Sequence, residues 1–337
     1  MKSRCTAPFH FAAALAACST LAACGSDDLA DSYGAIAEAD AAVSDDEKRA
    51  DLESDGYELE AIEQLPALGA PEESVVDPQD VPDEVMTELR EQIIDKAIVG
   101  ADNRAIVRNS RVTPFKAVVQ VLAQWKKGEA GIPCTGTMVA GDAVLTAAHC
   151  LYNSTRTANG FPYSVSVVPG LYPKSPLPAS GVQYNTPFGV GYAKKLFVPD
   201  RFKSTDQDAW SRIPFDYAVI RLKAAIPNAG TRSFGVLEDL LSAPAVLDGY
   251  HEDKQDCLQM YESKDRVRKV LADGSFNHFT DLKPGASGGG IVGSGAWSNT
   301  IFGVQSSHID EGNRYNIAST ITESKYRSIK SWVTRVL

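Results

Sequence analysis

Three side chains in this 337-residue sequence stand where their surroundings suggest chemistry. Ser287 lies within Leu282–Val292, LKPGASGGGIV, among four glycines. A glycine costs about 0.5–1 kcal/mol where an ordinary residue would serve, so such a cluster implies unusual backbone geometry, a close approach or a loose loop. His149 sits in Thr146-Ala-Ala-His-Cys150, directly after an apolar run. It reads equally as a working imidazole or as a core histidine beside a structural cysteine. Asp216 opens Phe215-Asp-Tyr-Ala-Val-Ile-Arg-Leu222, a carboxylate at the mouth of an apolar strand, where a simple strand cap is the plain reading. A hydroxyl, an imidazole and a carboxylate could together form an activated nucleophile, provided a fold brings them into one place.

The elements available to do so are those of a β protein. Ala117–Ala123, Thr137–Ala140, Ala143–Thr146, Tyr163–Val168, Tyr217–Leu222, Gly289–Val292 and Ile301–Gln305 are short apolar runs separated by Gly, Pro, Asn and Asp. Many short strands without intervening ten-residue helices predict an all-β barrel or sandwich. Glu323–Val336 differs, with Tyr326, Ile329, Trp332 and Val333 at helical spacing. That pattern predicts a single C-terminal helix packed on the body.

Charge divides the chain. The formal net charge is −10, but Asp27–Asp95 holds 23 acidic and 3 basic residues, a balance of −20. From Lys96 to Leu337 there are 28 basic and 20 acidic residues, a balance of +8. The body's basic residues are scattered, with no arginine-rich helix, which argues against a nucleic-acid partner. The acidic stretch reads as loosely folded or disordered up to Pro82, where Pro and acids open a short predicted helix running to about Ala97.

The first 23 residues read as an export signal: Lys2 and Arg4, then an apolar run from Phe9 to Ala23 too short to span a membrane. Leu21-Ala-Ala-Cys24 resembles the bacterial lipoprotein signal, which makes Cys24 a lipid-bearing first residue and anchors the chain to a membrane. An ordinary secretory signal is the alternative. Residues 24–97 then form an acidic tether or propeptide, and 98–337 the functional domain. Outside the signal, Cys134, Cys150 and Cys257 remain. In an oxidising compartment a Cys134–Cys150 bridge would staple neighbouring strands beside His149, a loop closure of roughly 3 kcal/mol, leaving Cys257 unpaired. Nothing in the spacing resembles a zinc site, and no metal or cofactor is expected.

The blocks Thr-Ala-Ala-His-Cys, Phe-Asp-Tyr-Ala-Val-Ile-Arg-Leu and Gly-Ala-Ser-Gly-Gly-Gly, in that order, resemble the signature blocks of the chymotrypsin-like serine peptidases. Gly100-Ala-Asp-Asn-Arg104, Pro133-Cys-Thr-Gly-Thr137 and Leu247-Asp-Gly-Tyr250 bring it nearer the bacterial glutamyl-endopeptidase-like branch. The similarity covers about Ile98 to Leu337. It implies two six-stranded antiparallel β-barrels with a C-terminal helix, and peptide hydrolysis on polypeptide substrates by a monomer. Ser287 would be the nucleophile, His149 its base and Asp216 the group orienting the imidazole, with Gly285 and Ser287 N–H groups meeting the oxyanion. It also points to Asp281, Leu282, Gln305, Ser306 and His308 as substrate-pocket residues, Ser306 additionally as a hydrogen-bond donor to Asp216.

Two departures stand out. Ala286 replaces the acid that pairs with a newly freed N-terminus in chymotrypsin-like enzymes, so that switch cannot operate. Gln305 stands where the branch carries a glutamate-recognising histidine, which leaves the preferred substrate residue open. Ile98-Val99-Gly100 resembles the apolar terminus exposed on maturation, and a cut is expected between Asp95 and Asn103. The competing reading is a catalytically silent binding or adhesion module of the same fold. An α/β-hydrolase esterase would need the order Ser, Asp, His, which is absent.

Overall fold

In the computed structural model the described residues are 56–59, 98–174, 184–204, 209–254, 257–309 and 315–337. The signal, Cys24 and the predicted helix at 82–97 lie outside them. The run at Ala117 becomes strand β1 (Val118–Gln124), and its two faces explain why it is apolar almost throughout. Val119, Val121 and Ala123 point into one core, while Val118 joins Val168, Leu171, Tyr250 and Met260 in a second cluster. A strand buried on both sides loses the usual alternation.

Five more strands complete the first barrel: β2 (Ile132–Ala140), β3 (Ala143–Thr146), β4 (Ser164–Pro169), β5 (Gly191–Phe197) and β6 (Ala218–Leu222). They pair antiparallel in the order β5-β6-β3-β2-β1-β4, and β4 closes back on β5. The second barrel is β7 (Pro244–Tyr250), β8 (Met260–Val270), β9 (Ser275–His278), β10 (Gly290–Val292), β11 (Thr300–Ile309) and β12 (Tyr315–Thr320). Its order is β10-β7-β8-β9-β12-β11, closed by β11 on β10. The fold is the expected pair of six-stranded antiparallel barrels. Closure leaves few free strand edges. Between the barrels lies the cluster of Val118, Val168, Leu171, Tyr250, Leu258 and Met260.

Helix α1 (Glu323–Thr334) follows the second barrel but packs on the first. The Thr322 hydroxyl caps its start, accepting from the Lys325 N–H. Trp332 is fully buried and stacks between Phe197 and Tyr217, with ring centroids 5.8 and 5.7 Å away. At the other end Arg221 of β6 donates to the Trp332 and Arg335 carbonyls at 3.0 and 2.7 Å, and to Asp142 at 2.7 Å. A guanidinium there satisfies orphan carbonyls and complements the helix dipole.

The leader differs from its expectation at one place. Tyr57–Glu58 forms a strand paired with β5.

Trp332→Ala should lower the unfolding free energy by about 3–5 kcal/mol, read from urea denaturation, since it empties the largest buried side chain of the first barrel's core. A loss below about 1 kcal/mol would show that the helix is dispensable to the barrel.

Candidate active site

His149 lies in a single turn of 3-10 helix, Ala148–Cys150, just after β3, and Asp216 follows another, Ile213–Phe215, just before β6. Because β3 and β6 are adjacent and antiparallel, with Thr146 opposite Ala218, the two turns leave the sheet at the same end. The Asp216 carboxylate is 4% exposed. One oxygen accepts the His149 backbone N–H at 2.9 Å; the other faces His149 Nδ1 at 2.7 Å and accepts from Ser306 Oγ. Burial alone would raise this carboxyl. The charge of His149, its ring and backbone hydrogen bonds and the Ser306 hydroxyl outweigh burial and hold it below its ordinary value. An ionised Asp216 on Nδ1 keeps the proton there and leaves Nε2 as a base.

Ser287 occupies the turn before β10. Its carbonyl accepts from Thr135 N at 2.8 Å, and the Gly288 N–H donates to Gln305 O at 2.8 Å. Gly288 has φ +81°, and a Cβ there would fall 2.1 Å from Thr146 Oγ1 and 2.4 Å from Thr135 O. Gly285 has φ +95°, and a Cβ would meet Cys257 Sγ at 2.5 Å. The glycines are therefore demanded by a tight turn wedged against both barrels, not by a loose loop.

The turn also sets the direction of two peptides. Pro284 O accepts from Glu252 N at 2.8 Å and Ala286 O from Gly289 N at 3.1 Å. In a trans peptide the N–H points opposite to the C=O, so the N–H groups of Gly285 and Ser287 turn away from those partners.

His149, Asp216, Gly285, Ser287 and Ser306 all line one cleft of about 480 Å³. The His149 side chain is 39% exposed, and Ser287 retains 4%. One wall is Trp125, Ile132, Pro133 and the segment Tyr152–Arg156; Phe202, Arg212, Ile213 and Ser307 also line the cleft. The disulfide Cys134–Cys150 forms beside it, and Cys257 is buried and takes no part in a disulfide. Cys134, His149 and Cys150 bring ligand atoms within 4.8 Å of one another, but both sulfurs are spent in the disulfide.

Four of the five expected pocket residues do not line the cleft. Asp281 is fully buried, its two oxygens accepting the N–H groups of Val99 at 2.7 Å and Asn103 at 2.8 Å. It pins the start of the domain, a task invisible in its spacing from Ser287. Leu282 belongs to the second barrel's core, packed among Leu247, Phe276 and Ile291. Gln305 is buried in a polar chain, and His308, 6% exposed, pairs in register with Asn316. Ser306 alone of the five lines the cleft. Thr135 was missed: its hydroxyl donates to Gly285 O at 2.8 Å and accepts from Tyr250 N at 3.0 Å. Its place beside Cys134 was the available signal.

The polar chain beneath the cleft has a fixed direction. Gln305 donates through Nε2 to Ser307 O at 3.0 Å and Ile317 O at 3.3 Å, so its Oε1 accepts from His278 Nε2 at 2.7 Å. The bare His278 Nδ1 then accepts the Thr280 hydroxyl at 2.7 Å. Burial pushes the imidazole down to about 4, against the raising effect of Gln305.

With these positions in place, comparison with known proteins is informative. The family model described as Trypsin matches residues 106–231, a stretch that carries His149 and Asp216. Glutamyl endopeptidase of Bacillus licheniformis is 23% identical over 245 residues, 70% of this chain and 69% of that protein. An extracellular metalloprotease of Bacillus subtilis is 23% identical over 243 residues, 71% of this chain and 70% of its own length. A solved structure of a Glu endopeptidase in complex with MPD superimposes with a TM-score of 0.59 at 23% identity, covering 71% of this chain and 100% of that one. The chain has the chymotrypsin-like serine-protease fold. In structure it is similar to that Glu endopeptidase.

The buried imidazole yields a test. Unfolded, His278 binds a proton near its ordinary 6.5; folded, it resists until about 4. Stability is thus complete above pH 6.5 and is lost as pH falls towards 4, on the order of 3 kcal/mol at the lower limit. His278→Gln should flatten the stability profile across that window in urea titrations. A variant as pH-sensitive as the parent would assign the loss elsewhere.

Proposed function

We propose that the protein is a serine endopeptidase working through Ser287, His149 and Asp216. The observation that carries this reading is the Asp216–His149 pair at 2.7 Å in a cleft that Ser287 shares. A neutral serine hydroxyl is a poor nucleophile, so His149 Nε2 takes the Ser287 proton as Oγ attacks the scissile carbonyl. The imidazolium so formed is stabilised by Asp216, whose charge Ser306 and the His149 backbone N–H help to hold. The N–H groups of Gly285 and Ser287 receive the oxyanion. His149 then gives its proton to the leaving amine, and the resulting acyl-enzyme is hydrolysed by the same steps with water as the nucleophile.

The leading sequence and the disulfide support export, and the relatives include a protein named as extracellular. Cys24 is the proposed point of lipid attachment to the cell envelope. The substrates are polypeptides, and the burial of Asp281 argues against its selecting a basic residue.

Ser287→Ala should abolish labelling by a fluorophosphonate and cut casein hydrolysis by several powers of ten, with an unchanged melting transition. Hydrolysis by the variant at the parent rate would overturn the assignment. A parent protein that neither labels nor hydrolyses would instead favour the silent binding module.

A further inference from the structure

The acidic leader supplies a piece of the first barrel. Tyr57 and Glu58 pair antiparallel with Leu196 and Lys195 of β5, and the Leu59 N–H donates to Lys194 O at 3.1 Å. β5 meets β4 only through Gly191 and Tyr192, so its edge beyond Tyr192 is left for another strand, and the leader covers it. The three residues alternate as a strand on an apolar wall should. Tyr57 and Leu59 pack against the core while Glu58 is exposed, opposite Lys195.

Tyr57 also connects to the cleft. Its ring lies parallel to Phe161 at 4.3 Å, and its hydroxyl accepts from Asn159 Nδ2 at 2.8 Å. Phe161 meets Tyr152 edge-on at 5.2 Å, and the Asn153 N–H closes the loop on Gly160 O at 2.7 Å. Tyr152 to Arg156 form a wall of the cleft. Three rings thus join the leader to the surface that a long substrate would touch.

We propose that residues 56–59 are a working strand of the enzyme, with Tyr57 a positioning residue that holds the 152–156 wall for extended polypeptide substrates. The second half of this proposal rests on the peptidase reading above. So short a ladder is too small to bind as a free peptide at micromolar dilution. The covalent path from Leu59 to Val99 keeps it at an effective concentration on the millimolar scale. A cut along that path therefore loosens the wall and does not activate the enzyme.

The test uses the full chain with a recognition sequence for an unrelated site-specific protease placed between residues 65 and 75. On cutting at micromolar protein, kcat/KM for a long peptide should fall roughly three- to tenfold, carried by KM, as loss of a stacked aromatic pair would give. The rate of fluorophosphonate labelling at Ser287 should stay constant, and a synthetic peptide of residues 51–64 at millimolar concentration should restore KM. In the uncut chain Tyr57→Ala should show the same split and Tyr57→Phe should retain most of the parent behaviour. Turnover that rises or holds after cutting overturns the proposal, and so does an equal fall of labelling and turnover in Tyr57→Ala. A parent with neither labelling nor turnover overturns the peptidase reading alone. Docking of the strand is then judged by amide exchange at 194–196, which cutting must accelerate for it to stand.

Discussion

A single buried carboxylate organises the molecule. Asp216 is ionised in a place that water barely reaches, a state that stands only if donors surround it. His149 supplies two from the turn after β3, and Ser306 supplies a third from β11 of the other barrel. The demand for that third donor couples the two barrels in register. A slip of β11 by one residue would remove Ser306 from the carboxylate and turn its neighbours to the wrong face.

The rest of the site is arranged to make that coupling rigid. Thr135 works on both sides at once, with its backbone N–H on Ser287 O and its hydroxyl between Gly285 and Tyr250. The Cys134–Cys150 disulfide ties the residue next to Thr135 to the residue next to His149. Arg232, in the crossing between barrels, is buried against Asp248 of β7 and donates its N–H to Met138 O of β2. Burial drives the Asp248 carboxyl up despite the arginine's opposing charge, which marks how dry the seam is. Position at the seam is set by many modest contacts of this kind.

Sequence patterning reached the first barrel more fully than the second. Val118–Gln124, Ala143–Thr146 and Ala218–Leu222 are nearly all buried and so read as apolar runs. Met260–Val270 is the longest strand and passed unnoticed, because its exposed face carries Lys264, Arg266 and Arg268 among other charges. Pro244–Tyr250 hides a buried Asp248, and Tyr315–Thr320 is polar in half its positions yet almost wholly buried. The triad candidates were legible because local sequence marks them; the companions were not. Asp281 carries the spacing of a pocket acid, but its partners Val99 and Asn103 are 182 and 178 residues away. No local pattern encodes a partner that distant. The Tyr57 strand was hidden by the composition around it, since three alternating residues cannot outweigh an acidic stretch.

The helix Glu323–Thr334 gives the fold an order in time. The first barrel is encoded first, yet Trp332, which stacks on both Phe197 and Tyr217, comes from the helix that follows the second barrel. Tyr217 adjoins Asp216, so the support behind the carboxylate arrives with the last element of the chain described here. A polypeptide emerging from the ribosome or a translocation channel holds His149, Asp216 and Ser287 well before it holds Trp332. During that interval the three residues exist without the packing that fixes them. The topology thus leaves the support behind Asp216 unfinished until Glu323–Thr334 has been made and has docked on the first barrel.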